Sequence, residues 1–154
     1  MKYLKPELYE KVCYSENSEY YDKWNEMYQT SLTELEKISS RLPKLFLKEF
    51  NKYHFHDNTM LSLSIQRVNY HYVLKMELLD SHDKKIIHNL VFTDVRNFKS
   101  NMDLGVSWED WIYCEILPVD EKRTSLEVEF PDDTVYFEFS RMHYKKTKLS
   151  DAKE

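Results

Sequence analysis

Residues 60 to 79 read MLSLSIQRVNYHYVLKMELL, and here the spacing of apolar side chains changes from three and four to two. Leu61, Leu63 and Ile65 alternate with polar residues, and Tyr70, Tyr72, Leu74, Met76 and Leu78 resume the same period. The break near Val68 and Asn69 suggests a turn, so the stretch reads as two strands joined back to back. Downstream, a third strand fits Lys85 to Val95, and a polar loop through Asn97 to Ser107 holds Gly105, the only glycine. Three more strands fit Trp111 to Leu117, Ser125 to Phe130 and Thr134 to Arg141. In these, Leu126, Val128 and Phe130 oppose Glu127 and Glu129, while Val135, Phe137 and Phe139 oppose Tyr136, Glu138 and Ser140. One dry face and one wet face describe an antiparallel meander, because parallel strands would show continuous apolar runs with helices between them.

Upstream the period is helical. A first helix is expected from Pro6 through Leu8, Tyr9 and Val12. A long amphipathic helix follows over Glu19 to Ile38, capped near Ser15 to Ser18, and Pro43 opens a third along PKLFLKEFNKY. The row Tyr20, Trp24 and Tyr28 is expected to bury. The chain therefore reads as one α+β domain over residues 1–154. Two to three N-terminal helices (about 6–54) pack on one face of a mainly antiparallel sheet of about six strands (about 59–144), and a polar tail covers 145–154.

Composition removes several classes of function. One glycine cannot build a dinucleotide fingerprint, a phosphate loop or a nucleophile elbow, each of which needs several. Neither C-x-x-C nor H-E-x-x-H occurs, and Cys13 and Cys114 form no short-spaced pair. A net charge of −5 argues against a nucleic-acid partner and favours a basic one. The absence of a long apolar run or a signal-peptide pattern points to a cytoplasmic protein that does not enter a membrane. No cofactor is expected.

Two stretches could carry a site. In YHFHDN (Tyr53 to Asn58), His54, His56 and Asp57 form a possible metal or acid–base group if the segment is extended, since residues i and i+2 then share a face. The alternative is a turn, in which Asp57 and Asn58 bond nearby amides and hand the helix over to the sheet. In WEDWIYCEI (Trp108 to Ile116), Glu109, Asp110 and Glu115 lie among Trp108, Trp111 and Tyr113. With Glu127 and Glu129 on a following strand, they suggest an acidic, aromatic face that anchors a protein partner.

The opening MKYLKPELYE, the turn HFHDN, the phrase LVFTDV and WIYCEI followed by SLEVEF carry a resemblance. The chain resembles a family of small cytosolic proteins of unknown function from bacilli and related Firmicutes, with Glu7, Tyr9, His56, Asp57, Trp111, Tyr113, Glu115 and Ile116 at the matching positions. Cys114 stands where that family has the first glutamate of a pair, so a mechanism using two carboxylates does not carry over. In character the chain is also similar to immunity proteins of bacterial toxins. That similarity implies a non-enzymatic inhibitor, monomeric or weakly dimeric, which neutralises a basic toxin domain through Trp108, Glu109, Asp110, Trp111, Tyr113, Glu115, Glu127 and Glu129. A metal-binding or hydrolase-like protein using His54, His56 and Asp57 is the alternative.

Overall fold

Pro6, whose missing N–H costs nothing in a first helical turn, opens α1 (Pro6–Tyr14). Asn17 caps α2 (Ser18–Lys37) by accepting the Glu19 N–H at 3.0 Å. A 3-10 turn at Ser39–Arg41 and an extended Pro43 lead into α3 (Lys44–Tyr53). The computed structural model describes residues 1–101, 110–131 and 133–149. Within them no helix is long and apolar enough to cross a membrane.

The fold is α+β, with the helices preceding antiparallel sheet, as the change of period implies. Among the described residues eight strands form rather than about six, and they divide into two sheets of four. The first contains β1 (Thr59–Val68), β2 (His71–Leu79), β3 (Ile86–Thr93) and β8 (Arg141–Lys148) in the order β1-β2-β3-β8. The second contains β4 (Arg96–Ser100), β5 (Tyr113–Pro118), β6 (Thr124–Glu129) and β7 (Thr134–Phe139) in the order β4-β7-β6-β5. Of the two unexpected strands, β4 lies mostly in the stretch read as loop, and β8 runs from the end of an expected strand at Arg141 into the stretch read as tail. All five residues of β4 are exposed, so no apolar period marks it, and pairing with β7 holds it. In β8 the partly buried positions include Lys146, whose ammonium reaches Glu49 at 3.0 Å, and this lysine disguises the alternation.

Two chain corners join the sheets. β3 passes into β4 through Asp94 and Val95, and β7 passes into β8 through Ser140. The antiparallel ribbon of β3 with β8 is therefore continuous with that of β4 with β7. Asp94 takes a positive φ of 55°. Its carboxylate accepts the Ser140 hydroxyl at 2.7 Å, and the Ser140 N–H donates to the Thr93 carbonyl at 3.1 Å. Bends of this kind let strands change sheets. Phe92 of β3 meets Phe137 and Phe139 of β7 edge-on at 4.8 and 4.9 Å, and one continuous core draws on α2, α3 and both sheets.

The N-terminal segment is held by a single carboxylate. Glu115 on β5 is 1% exposed and accepts the backbone N–H groups of Lys2 and Tyr3, each at 2.7 Å, together with that of Leu4. Its cross-strand neighbour is Glu127, whose carboxylate sits 2.9 Å from the Met1 ammonium. Replacing Glu115 strands several amide donors at once, so Glu115→Ala should lower stability by about 2–3 kcal/mol in urea unfolding. Residues 1–5 should then become the first site of protease cleavage in the variant.

Candidate functional site

The segment between α3 and β1 is a turn rather than an extended strand. His54, Phe55 and Asp57 all take left-handed conformations, with φ of 52°, 57° and 63°. Aspartate tolerates that region and phenylalanine does not. The strain at Phe55 is offset by burial of its ring among Phe46, Phe50, His88 and Trp111, with centroids 4.9–5.9 Å away. Backbone bonds clamp the turn to the start of β5. The Asp57 N–H donates to the Trp111 carbonyl at 2.9 Å, and the Trp111 N–H donates to the Asn58 carbonyl at 3.0 Å. The Asn58 side chain accepts the Ser81 N–H at 2.8 Å. The turn-forming role read for Asp57 and Asn58 describes this arrangement, and the residue that anchors it is Phe55.

The candidate site residues do not come together as one group. His56 pairs with Asp57 at 2.8 Å on the exposed side of the turn, while Glu115 is committed to the Lys2, Tyr3 and Leu4 amides. Among the described residues no three His, Cys, Asp or Glu side chains gather closely enough to hold a metal. Trp111, like Glu115, is 1% exposed, so neither lies on a face that a partner could touch. A carboxylate and an indole on one strand read as an exposed anchor pair, but the tertiary fold covers both. Tyr113 is buried, Glu127 and Glu129 are half-buried, and Asp110 is exposed beside Thr59. Trp108 and Glu109 lie outside the described residues.

An aromatic-lined concave feature lies along β5, between α1, α2 and the end of α3. It is a groove of about 340 Å³, within the range of ligand sites. Tyr9, Trp24 and Tyr113 form one wall, with ring centroids 5.1–5.2 Å apart. Leu35, Phe50, Cys114 and Ile116 contribute apolar surface, and Asn25, Tyr28, Ser31 and His54 contribute polar groups. His54 sits edge-on to Tyr28 and Phe50 at 5.3 and 4.9 Å. Burial lowers the His54 pKa and raises those of the Tyr28 and Tyr113 phenols and the Cys114 thiol. Each shift favours the uncharged form. Among the described residues, no Asp, Glu, Lys or Arg lines the groove. The row Tyr20, Trp24 and Tyr28, read as core, is only half-buried because α2 packs beside β5 and leaves this cleft open. The abundance of large rings with polar tips on one helix is the signal in the sequence that could have marked it.

A second polar cluster has no counterpart in the sequence pattern. The Tyr144 hydroxyl donates to His88 Nδ1 at 2.6 Å, and His88 Nε2–H donates to Asp80 at 2.8 Å. Burial pushes the His88 imidazole down against the pull of Asp80, which fits a neutral ring with one donor and one acceptor. Glu49, itself buried, is bracketed by Lys52 at 2.9 Å and Lys146 at 3.0 Å. These groups fasten α3 to β8 and β2 to β3.

Beside the groove, Glu129 pairs with Tyr113 across β5 and β6, and its Oε2 is buried without a hydrogen-bond partner among the described residues. Burial raises its pKa from 4.5 to about 7, with Glu127 and Glu7 adding to the rise and the Met1 ammonium opposing it. The folded pKa exceeds the unfolded one, so this stabilisation is complete below about 4.5 and is lost as pH rises through about 7. Glu129→Gln should therefore unfold at higher urea than the parent at pH 8, by on the order of 1–3 kcal/mol, with the gap shrinking as pH falls to 5. His54 and His88, with lowered pKa values, act in the opposite direction in both proteins and cancel in the difference. No protein-family model matches this chain and no curated protein matches it, so its functional reading rests on this geometry.

Proposed function

We propose that this protein is a non-enzymatic binding module that takes a basic protein partner on its helical layer. The observation that carries this reading is the aromatic-lined groove in a helical layer whose outer surface is acidic. Residues 6 to 26 present Glu7, Glu10, Glu16, Glu19, Asp22 and Glu26, all exposed, against only Lys11 and Lys23. At the mouth of the groove Tyr21 is 58% exposed and Tyr53 is 51% exposed. Interfaces concentrate their binding energy in tyrosine and tryptophan around a desolvated pocket, and complementary charge raises the rate of encounter. Tyr113, Glu127 and Glu129, singled out on the strands, lie next to this surface or in the groove wall and belong to the same reading. Trp111 and Glu115 support it from inside.

In its finer form the partner is a toxin domain with a basic surface, and this protein is the immunity-type inhibitor that occludes it in the cytoplasm. That form draws on the resemblance of an acidic, aromatic-rich, glycine-poor chain to such inhibitors. The test is protection of cells that express a toxin encoded beside this gene, together with the affinity of the purified pair. The double variant Tyr21→Ala, Tyr53→Ala should lose at least tenfold in affinity. Charge reversal at Glu19 and Asp22 should slow association and flatten its salt dependence. Absence of protection, or a complex indifferent to both variants, would remove the reading.

A further inference from the structure

We infer that β1 is a self-pairing edge, through which two copies of this chain join antiparallel about a two-fold axis at Ser64. The inference goes beyond the binding reading and does not rest on it. Each sheet has two end strands, and three of the four are guarded. Helices α2 and α3 pack against β5 and β8. β4 is five residues long, carries Arg96 and Lys99, and breaks register with β7 between them. Short length, basic side chains and an irregularity are the devices that keep a bare edge from pairing. β1 has none of them beyond its first residues. It runs ten residues, its register break lies between Met60 and Ser62, and from Ser62 to Val68 it pairs with β2 without interruption. On its other side, among the described residues, only Thr59 is engaged, in a bridge to Asp110. Every residue from Ser64 to Val68 is exposed.

The side chains select a second copy as the occupant. An antiparallel pair about Ser64 sets Leu63 opposite Ile65 of the other copy, Ser62 opposite Gln66, and Leu61 opposite Arg67. No charge meets its like across the axis. Leu63 packs at the border of the core, and Ile65, opposite the fully buried Leu74 on the same face, is left exposed. Pairing these two residues with their counterparts continues both apolar layers across the joint and removes that surface from water. Charge fixes the direction. Arg67, the single charge of β1, stands at one end, and Asp110, exposed beside Thr59, stands at the other. Antiparallel docking brings each arginine towards the aspartate end of the other copy, whereas parallel docking would align like with like. The chain's net charge of −5 opposes association elsewhere, but residues 59 to 79 hold only Arg67, Lys75 and Glu77 as formal charges. One edge per copy makes a closed pair rather than a filament. No residue of β1 lines the groove along β5, so the dimer does not consume it.

The test is light scattering of the full chain over a range of concentrations. One strand pair is a small interface, so association is weak. The average mass should rise from 18.8 kDa when dilute towards twice that value by about 1 mM. Ser64→Lys sets two ammonium groups face to face on the axis, and Ile65→Lys puts one into the apolar joint. Both positions are exposed in the single copy, so both variants should keep the parent's circular dichroism and remain monomeric. Register is read with cysteines in a Cys13→Ser background. Ser64→Cys should give a disulfide-linked dimer under oxidised glutathione, because residues on the axis lie directly opposite each other. Ser62→Cys, opposite Gln66, should not. A parent that stays monomeric at about 1 mM would overturn the inference, including the case in which β1 takes another protein's strand. So would folded lysine variants that dimerise like the parent, or equal cross-linking through positions 62 and 64.

Discussion

The carboxylate of Glu115 is the constraint through which sheet, N-terminal segment and groove depend on one another. A buried carboxylate is costly unless several donors surround it, and here three consecutive backbone amides do so. Fixing residues 2 to 4 on the face of β5 determines where Pro6 begins α1, because only Lys5 intervenes. Tyr9 then lands one helical turn later against Tyr113, two residues from Glu115 on the same strand face, and Trp24 of α2 closes on both rings. The groove wall is thus built on the same strand face that binds the N-terminal amides. Glu127 directly opposite would repel Glu115 across the ladder, and its contact with the Met1 ammonium offsets that like-charge pairing.

The same economy governs the sheets. Exposed strand edges invite unwanted pairing, and the helical layer lies where it covers two of them. α2 packs against β5, the end strand of one sheet, and α3 packs against β8, the end strand of the other. Because α2 lies beside its strand instead of across the sheet face, its aromatic row is left half open as a groove. The corner at Asp94 and Ser140 keeps the two sheets on a common core, so that the turn carrying Phe55 can plug into residues contributed by both.

Much of this was legible in the chain. The three helices begin at Pro6, Asn17 and Pro43 for local reasons of capping and proline geometry, and β5, β6 and β7 follow the alternation of Leu126, Val128, Val135, Phe137 and their neighbours. β4 and β8 were not legible, since RNFKS has no buried face and the pattern of RMHYKKTK is disguised by Lys146, which is half-buried with its ammonium on Glu49. Of the candidate site, Tyr113 was found in the groove wall with Glu129 beside it, Glu127 was found on the Met1 ammonium, and His54 was found in the groove wall for a reason other than metal binding. Trp111 and Glu115 were recognised as unusual, but that unusualness marks interior fastening. The His88 to Tyr144 link in the chain that starts at Asp80 spans 56 residues, from β3 to β8, and leaves no local trace.

The sequence by itself determined the helix and strand periods, the change between them near residue 59, the acidic balance, and the exclusion of glycine-dependent chemistry. These depend on backbone geometry and side-chain composition, which act within a few residues. The tertiary structure alone decided which carboxylates meet water and which meet amides, which aromatic rings form a core and which form a cleft, and that the strands divide into two sheets. Burial and pairing are set by groups brought together from distant positions: a glutamate on β5 reads the same as one on a wet strand face until the N-terminal amides arrive to enclose it.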